Sequence, residues 1–200
     1  MSEVAAPSQR ARFGWRLRLL VVLAVAITAF AVLGIIETLH YSSVSTKPGA
    51  ATGLGFFRPK FTKPVSFSLP ELTAAAGSAE TDMSELVGKP VVLNFWASDC
   101  SVCKTETPAF VSVARSVGSR VTFVGVDSAD ERGPALAFLH KYGAVYLQLF
   151  DPGALVASGY GISALPVTVF ISSSGKVVGE NVGALSALSL RHYLSTLLGA

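Results

Sequence analysis

The two cysteines of this 200-residue chain, Cys100 and Cys103, are separated by two residues. Thiols at this spacing can form a small disulfide and open it again, which is the chemistry of thiol–disulfide exchange. The attacking group is a thiolate, so a working cysteine needs a pKa below the free value of about 8.5. A helix N-terminus lowers a thiol pKa because its free N–H groups and partial positive charge stabilise an anion.

The segments around the cysteines predict such a position. An apolar run at 90–96 is typical of a strand buried on both faces of a sheet. Apolar residues at helical spacing follow at 108–117. Cys100 then lies at the start of a helix and Cys103 one turn inside it. We predict that Cys100 attacks or is attacked, and that Cys103 resolves the mixed disulfide.

Two other interpretations of the cysteine pair remain open. Half of a zinc site needs two further ligands at similar spacing, but no other cysteine is present and His40, His140 and His192 are scattered. A purely structural disulfide across so short a loop removes little chain entropy. Redox chemistry is therefore favoured, and we expect no metal and no cofactor other than the Cys100–Cys103 disulfide.

Strands and helices alternate along the rest of the domain, which predicts an α/β fold with parallel core strands and an antiparallel hairpin at the sheet edge. In the helix at 134–142 we expect Leu136, Phe138 and Leu139 to face inward. Pro70 is expected to end the first strand. The predicted strands are 65–69, 90–96, 121–126, 145–150, 167–171 and 176–182, and the other helices are 82–87, 154–160 and 188–198.

The N-terminal part of the chain predicts a membrane anchor. Residues 19–36 are eighteen residues without a charge, and as a helix they would extend about 27 Å, close to the thickness of a bilayer core. Four arginines between 10 and 18 precede this run, so the N-terminus is expected in the cytoplasm and the rest outside it. The chain after residue 36 has equal numbers of acidic and basic residues, which removes the electrostatic argument for nucleic-acid binding.

A cleaved signal peptide has the same order of charges and stays open as an alternative. Its apolar part is usually shorter, about 7–15 residues, and ends at a small-x-small site. We therefore predict a cytoplasmic tail at 1–18, a transmembrane helix at 19–36, a flexible linker at 37–63 rich in Ser, Thr, Gly and Pro, and a domain at 64–200.

Several ordered motifs resemble one family. They are Val-Val-Leu-Asn-Phe-Trp-Ala-Ser at 91–98, the C-x-x-C pair, Glu106-x-Pro108, Phe-Val-Gly-Val-Asp at 123–127, Tyr-Gly-Ile at 160–162, Leu-Pro-Val-Thr-Val-Phe at 165–170 and Gly-Lys at 175–176. Together they resemble the membrane-anchored TlpA/ResA-like thiol–disulfide oxidoreductases of the thioredoxin superfamily. The resemblance covers about residue 64 to the C-terminus and implies a thioredoxin fold, a central mixed sheet flanked by helices.

The resemblance also implies roles for single residues. Pro166 matches a cis-proline beside the disulfide, and Leu165 matches the residue whose backbone pairs with a substrate. Trp96 is expected under the active site, as part of the substrate-binding region. Glu106 would manage the proton of the buried thiol, with an ordinary solvated helix glutamate as the alternative. Asn94 stands where cytoplasmic thioredoxins have a buried acid.

The residue before the first cysteine departs from the family, since Asp99 replaces the usual Trp or other aromatic residue. A carboxylate there opposes thiolate formation at Cys100, whereas Lys104 favours it. These two residues are expected to tune the redox poise. We predict a moderately lowered thiol pKa and a reductant.

The predicted function is that of an enzyme, a thiol–disulfide oxidoreductase outside the cytoplasm. It would reduce disulfides of exported proteins, such as apocytochrome c before haem attachment, with electrons from a membrane thiol donor. A disulfide-forming oxidase of the same fold is the first alternative. A peroxidase would be expected to have Thr-x-x-Cys, which is absent here. A non-catalytic metal-delivery module is the remaining alternative.

Overall fold

The computed structural model describes residues 21–24, 28, 55–57, 62–75 and 78–198, with the backbone alone at 55–57. The chain divides into two units, Met1–Ala50 and Ala51–Ala200. In the first unit, the described residues are helical. No helix among the described residues is long and apolar enough to cross a membrane. Most of the predicted 19–36 span, the 1–18 tail and much of the 37–63 linker lie outside the described residues.

The second unit contains two sheets. Six strands form a mixed sheet in the order β1-β8-β7-β4-β5-β6, and β2 pairs with β3 in a small antiparallel sheet. The elements are β1 Gly55–Phe57, β2 Ser68–Pro70, β3 Glu80–Asp82, α1 Met83–Leu86, β4 Val91–Trp96, α2 Ser101–Val117, β5 Thr122–Ser128, α3 Arg132–Tyr142, β6 Leu147–Asp151, α4 Leu155–Gly159, β7 Val167–Ile171, β8 Val177–Val182 and α5 Ala187–Leu198.

Strand β4 is the centre of the large sheet. It pairs in parallel with β5 and antiparallel with β7, and all six of its residues are buried. Its apolar composition follows from having both faces covered. One face is covered mainly by α2 and α5, with Phe110 and Leu190 in the core, and the other by β2, α1 and α4, with Phe67 and Met83. The predicted α/β fold with a central mixed sheet is confirmed.

Helix α2 positions the cysteines, and its ends have local causes. Cys100 caps its N-terminus, and Gly118 ends it with a positive φ of 57°, a conformation that glycine adopts without steric cost. Pro108 lies inside the helix, which continues to Val117.

Strand β1 lies in the segment that we predicted as linker. It pairs antiparallel with β8, so the sheet begins before residue 64 and β8 is not the edge strand. A three-residue strand is too short for its residue pattern to show any periodicity.

Strand β2 begins at Ser68, later than the predicted start at residue 65, and ends at Pro70 as expected. One smaller expectation about α3 was wrong. Leu136 is 38% exposed, and the buried face of α3 is formed by Ala135, Phe138 and Leu139. These three residues have the i, i+3, i+4 spacing of one helix face, which excludes Leu136.

Candidate active site

Cys100 and Cys103 form a disulfide at the start of α2. The Cys103 N–H donates a hydrogen bond to Cys100 Sγ over 3.1 Å. Cys103 is fully buried, whereas Cys100 is partly exposed. A partner therefore reaches Cys100 first, and a helix N–H is already directed at the sulfur that becomes the thiolate. This arrangement agrees with the predicted roles of attacking and resolving cysteine.

The loop before Cys100 is fixed by a carboxylate that sequence analysis missed. Asp130 accepts hydrogen bonds from the backbone N–H and the hydroxyl of Ser98, the second over 3.0 Å, and from the Glu131 N–H over 2.7 Å. Partial burial alone would raise the pKa of Asp130, but these hydrogen bonds outweigh it and lower that pKa. Asp130 thereby ties the cysteine loop to the start of α3.

Trp96 supports the site from inside. It is 2% exposed, donates from Nε1 to Gln148 Oε1 over 3.0 Å and stacks on Phe138 with ring centroids 4.5 Å apart. Gly125 leaves room for this bond, because a Cβ there would overlap the Gln148 amide and lie 2.8 Å from Trp96 Nε1. Trp96 therefore packs under the active site as expected, and its place in the substrate-binding region stays a prediction.

Glu106 is buried on α2, one turn after Cys103. Its carboxylate accepts hydrogen bonds from Asn94 Nδ2 over 2.9 Å and from the Leu185 N–H over 3.0 Å, and Asn94 also donates to Thr168 over 3.2 Å. Burial raises the pKa of Glu106 from 4.5 to about 7, although both hydrogen bonds act in the opposite direction. The alternative of a solvated glutamate is wrong, and a carboxyl group that titrates near neutral pH can exchange a proton with a thiol.

The Leu165–Pro166 peptide bond is cis, as the resemblance implied. Pro166 is buried and Leu165 is partly buried. Leu165 lines a groove of about 520 Å³ that also contains Cys100 and Asp99. The structure thus brings together the attacking cysteine, the residue before it and the residue expected to pair with a substrate. Lys104 is partly buried on α2 and does not line this groove.

Asp127 is a second buried carboxyl group that we did not predict as part of the site. It is paired in register with Trp96 at the end of β5 and is fully buried. Neither of its oxygens accepts a hydrogen bond from the described residues. Burial raises its pKa from 3.8 to about 8, followed by the charge of Asp130, a hydrogen bond that the protonated group donates to Asp130, and the charges of Asp151 and Asp99. An acid at the end of an otherwise apolar strand was the sequence feature that marked it.

No group of three or more His, Cys, Asp or Glu side chains in the described part of the chain is arranged to hold a metal ion. The expectation that the protein needs no cofactor besides its disulfide stays a prediction.

Comparison with known proteins identifies the family. The sequence model of the AhpC/TSA family matches residues 57–179. This chain belongs to the AhpC/TSA family. It is 34% identical over 134 residues to the thiol:disulfide interchange protein DsbE of Xylella fastidiosa, a match that covers 66% of either chain. It is 30% identical over 117 residues to the thiol-disulfide oxidoreductase ResA of Bacillus subtilis, covering 58% of this chain and 65% of ResA.

This AhpC/TSA family member is also similar to a solved structure. The structure of Mycobacterium tuberculosis dsbF superposes with a TM-score of 0.60 at 32% identity, covering 66% of this chain and 94% of that one. The predicted thioredoxin-like fold is confirmed. The chain spans a little under two thirds of the length of DsbE and ResA, so its activity, substrates and partners are the subject of a proposal.

Proposed function

We propose that this protein is a thiol–disulfide oxidoreductase that reduces disulfides of exported proteins outside the cytoplasm, while its N-terminal segment holds it to the membrane. The observation that supports a role in exchange is the unequal exposure of the two cysteines. The partly exposed Cys100 opens onto the groove, and the buried Cys103 lies within reach of it. Apocytochrome c before haem attachment is a substrate of the proposed kind, since its C-x-x-C-H motif has two cysteines that can form a disulfide.

The reaction proceeds in two exchange steps. The Cys100 thiolate attacks one sulfur of the substrate disulfide, a bond forms between these two sulfurs, and the other substrate sulfur leaves as a thiolate. The Cys103 thiolate then attacks Cys100 Sγ, which forms the Cys100–Cys103 disulfide and releases the second substrate thiolate. Two electrons have passed from the protein to the substrate. A membrane dithiol donor restores the reduced protein by the same exchange in the opposite direction.

Glu106 supplies the proton acceptor for the second step in this proposal. Cys103 is fully buried, so its thiol has no direct access to solvent and needs an internal group to take its proton. Glu106 is one turn away on the same helix, and its pKa of about 7 makes the carboxylate available at neutral pH.

Asp99 favours electron transfer from the protein to the substrate. Strong oxidants of this fold owe their potential to a stabilised reduced form, in which the attacking cysteine is a thiolate. A carboxylate next to Cys100 destabilises that thiolate, which favours the disulfide and makes the reduced protein a better electron donor. The geometry offers the disulfide-forming and metal-delivery alternatives no comparable support.

A defined substrate tests the proposal. The full chain is purified in detergent, reduced, and mixed with a nine-residue peptide whose C-x-x-C-H motif is oxidised. We expect the peptide to be reduced in equal amount to the protein that is oxidised. Cys103→Ser should stop at a mixed disulfide between Cys100 and the peptide, and Cys100→Ser should not react. A reduced protein that leaves the peptide oxidised, combined with an oxidised protein that oxidises the reduced peptide, would show the opposite direction.

The membrane anchor is tested separately, by expressing the chain in a bacterial host and sequencing the N-terminus of the mature protein in the membrane fraction. An N-terminus before residue 19 is expected. A mature protein that begins beyond His40 would show that the segment is a cleaved signal peptide.

A further inference from the structure

The groove beside Cys100 is lined mostly by uncharged side chains. Among the described residues that line it, Asp99 is the single charged one. Small side chains form most of the remaining wall and leave room next to the sulfur. They include Ala129, Ala154, Ala157 and Ala164.

The backbone of the groove is held in an uncommon conformation. Ala129 and Ala154 have φ values of 57° and 51°, in the left-handed region that residues other than glycine rarely adopt. Both N–H groups donate to the Asp151 carbonyl oxygen, over 3.1 and 2.9 Å. The Asp151 carboxylate in turn accepts from the N–H groups of Leu155 and Val156. Such strained residues occur where a binding surface is formed in advance, so the groove has its shape before a substrate arrives.

No cationic side chain among the described residues lines the groove. Asp99 is exposed, and no hydrogen bond or ion pair joins it to the described residues. Asp127, fully buried and accepting no hydrogen bond from the described residues, lies close enough to Asp99 for the two charges to interact. Arg132 is turned elsewhere, because its guanidinium donates to the Leu72 carbonyl oxygen over 2.6 Å. Lys104 does not line the groove.

We propose that Asp99 makes the enzyme selective for disulfides whose cysteine is flanked by Lys or Arg. The occupant of the groove is then the cysteine segment of a substrate protein, with its basic side chain beside the Asp99 carboxylate. This inference rests on the proposed exchange reaction and adds the substrate class. Asp99 would then have two opposite effects on the reaction. It destabilises the Cys100 thiolate, but it also attracts a substrate with a basic side chain.

The experiment compares three nine-residue peptides with the same internal disulfide, flanked by Lys, Gln or Glu. The second-order rate constant for exchange with the full chain in detergent is measured for each peptide, in wild type, in Asp99→Asn and in Glu80→Gln. Glu80 is an exposed carboxylate on β3 that does not line the groove. Because the ratio of the Lys to the Glu rate is taken within each variant, a change in the Cys100 thiolate fraction cancels.

We expect wild type and Glu80→Gln to react about five-fold faster with the Lys peptide than with the Glu peptide, the scale of an exposed ion pair. The ratio should fall towards one in Asp99→Asn, and added salt should reduce it in wild type. A ratio of one in wild type, or an unchanged ratio in Asp99→Asn, would overturn the proposal. If the reduced protein reduces none of the peptides, the proposed direction fails; the same ratios are then measured with oxidised protein and reduced peptides, since exchange is reversible.

Discussion

The polar side chains near Cys103 and those near Cys100 are arranged in different ways. Asn94, Glu106 and Trp96, which we call the paired group, are buried and hydrogen-bonded. Asp99 and Asp127, which we call the unpaired group, are different: Asp99 is exposed, Asp127 accepts no hydrogen bond from the described residues, and their charges repel each other. The resolving Cys103 therefore lies among side chains that are hydrogen-bonded to one another. The attacking Cys100 lies beside the Asp99 carboxylate, which is free to bind a substrate.

The difference has an energetic meaning. A buried polar group that is hydrogen-bonded contributes to stability, whereas one that is not has lost its hydration without replacement. Substitutions of similar size should therefore have opposite effects in the two groups.

The largest effect is expected for Asp127→Asn. Because folding raises the Asp127 pKa from 3.8 to about 8, the folded state keeps a proton that the unfolded chain loses between these pH values. Wild-type stability therefore falls as pH rises through this window. The amide has no such dependence, so we expect Asp127→Asn to stabilise the fold by about 5 kcal/mol at pH 8 and to have little effect below pH about 4. Urea unfolding at both pH values measures this.

Asp130→Asn is the matched control for that variant. Asp130 is three residues away, but its carboxylate accepts hydrogen bonds from Ser98 and Glu131 and its pKa is lowered. It contributes stability above its unfolded pKa, which is lost as pH falls, so this variant should be destabilised at pH 8. If both variants shift stability in the same direction, the contrast between paired and unpaired carboxylates is wrong.

The second effect is expected for Gly125→Ala. The added methyl group would overlap the Gln148 amide and break the hydrogen bond from Trp96, so we expect a loss of about 2 kcal/mol in the free energy of unfolding. Gly133→Ala on α3 is the control, because nothing lies within 4 Å of its added Cβ. That variant should change the free energy of unfolding by no more than about 0.5 kcal/mol, because Gly133 is exposed at the start of the helix. Equal effects at the two glycines would contradict the role given to Gly125.

Glu106→Gln is expected to slow the resolving step of the exchange reaction. The amide can accept hydrogen bonds but cannot take the Cys103 proton, so we expect the resolving step to slow by about ten- to a hundred-fold at pH 7. Its pH dependence near 7, where Glu106 titrates, should disappear. Stopped-flow measurement of mixed-disulfide resolution between pH 5 and 9 tests this. An unchanged pH profile would remove Glu106 from the mechanism.

The smallest effect is expected for Asn94→Ala. The hydrogen bond from Asn94 lowers the pKa of Glu106, so its loss should move the same pH profile upward, by about one pH unit or less. Thr168→Val is the control, since it removes the other hydrogen-bond partner of Asn94 and leaves the bond to Glu106 in place. A downward shift in Asn94→Ala would contradict the assigned network.

The residues around the cysteines could be predicted from sequence because their patterns are local. The apolar run of β4, the C-x-x-C pair and the helical spacing of α2 adjoin one another, and β7 has the predicted bounds Val167–Ile171. The burial of Glu106 could not be predicted, since it depends on the Leu185 N–H 79 residues away. The tie between Ser98 and Asp130 joins residues 32 apart. Tertiary contacts of this kind leave no periodic pattern in the sequence.

The unpaired group was only partly visible in the sequence. Asp99 was noticed because it departs from the family pattern, and its effect on the thiolate was considered. The register of β4 and β5 pairs Trp96 with Asp127, which places Asp127 within electrostatic range of Asp99. A parallel pairing register is set by the whole fold, so this proximity of the two carboxyl groups emerged only with the structure.

The reduction potential of the Cys100–Cys103 pair tests the central claim most directly. The full chain in detergent is equilibrated with mixtures of reduced and oxidised glutathione or dithiothreitol, and the fraction of disulfide is measured after acid quenching and thiol labelling. A carboxylate beside Cys100 and a buried Cys103 predict a potential near that of thioredoxin, about −270 mV. A potential near that of the strong oxidant DsbA, about −120 mV, would show that the protein accepts electrons from its substrates and would contradict the account.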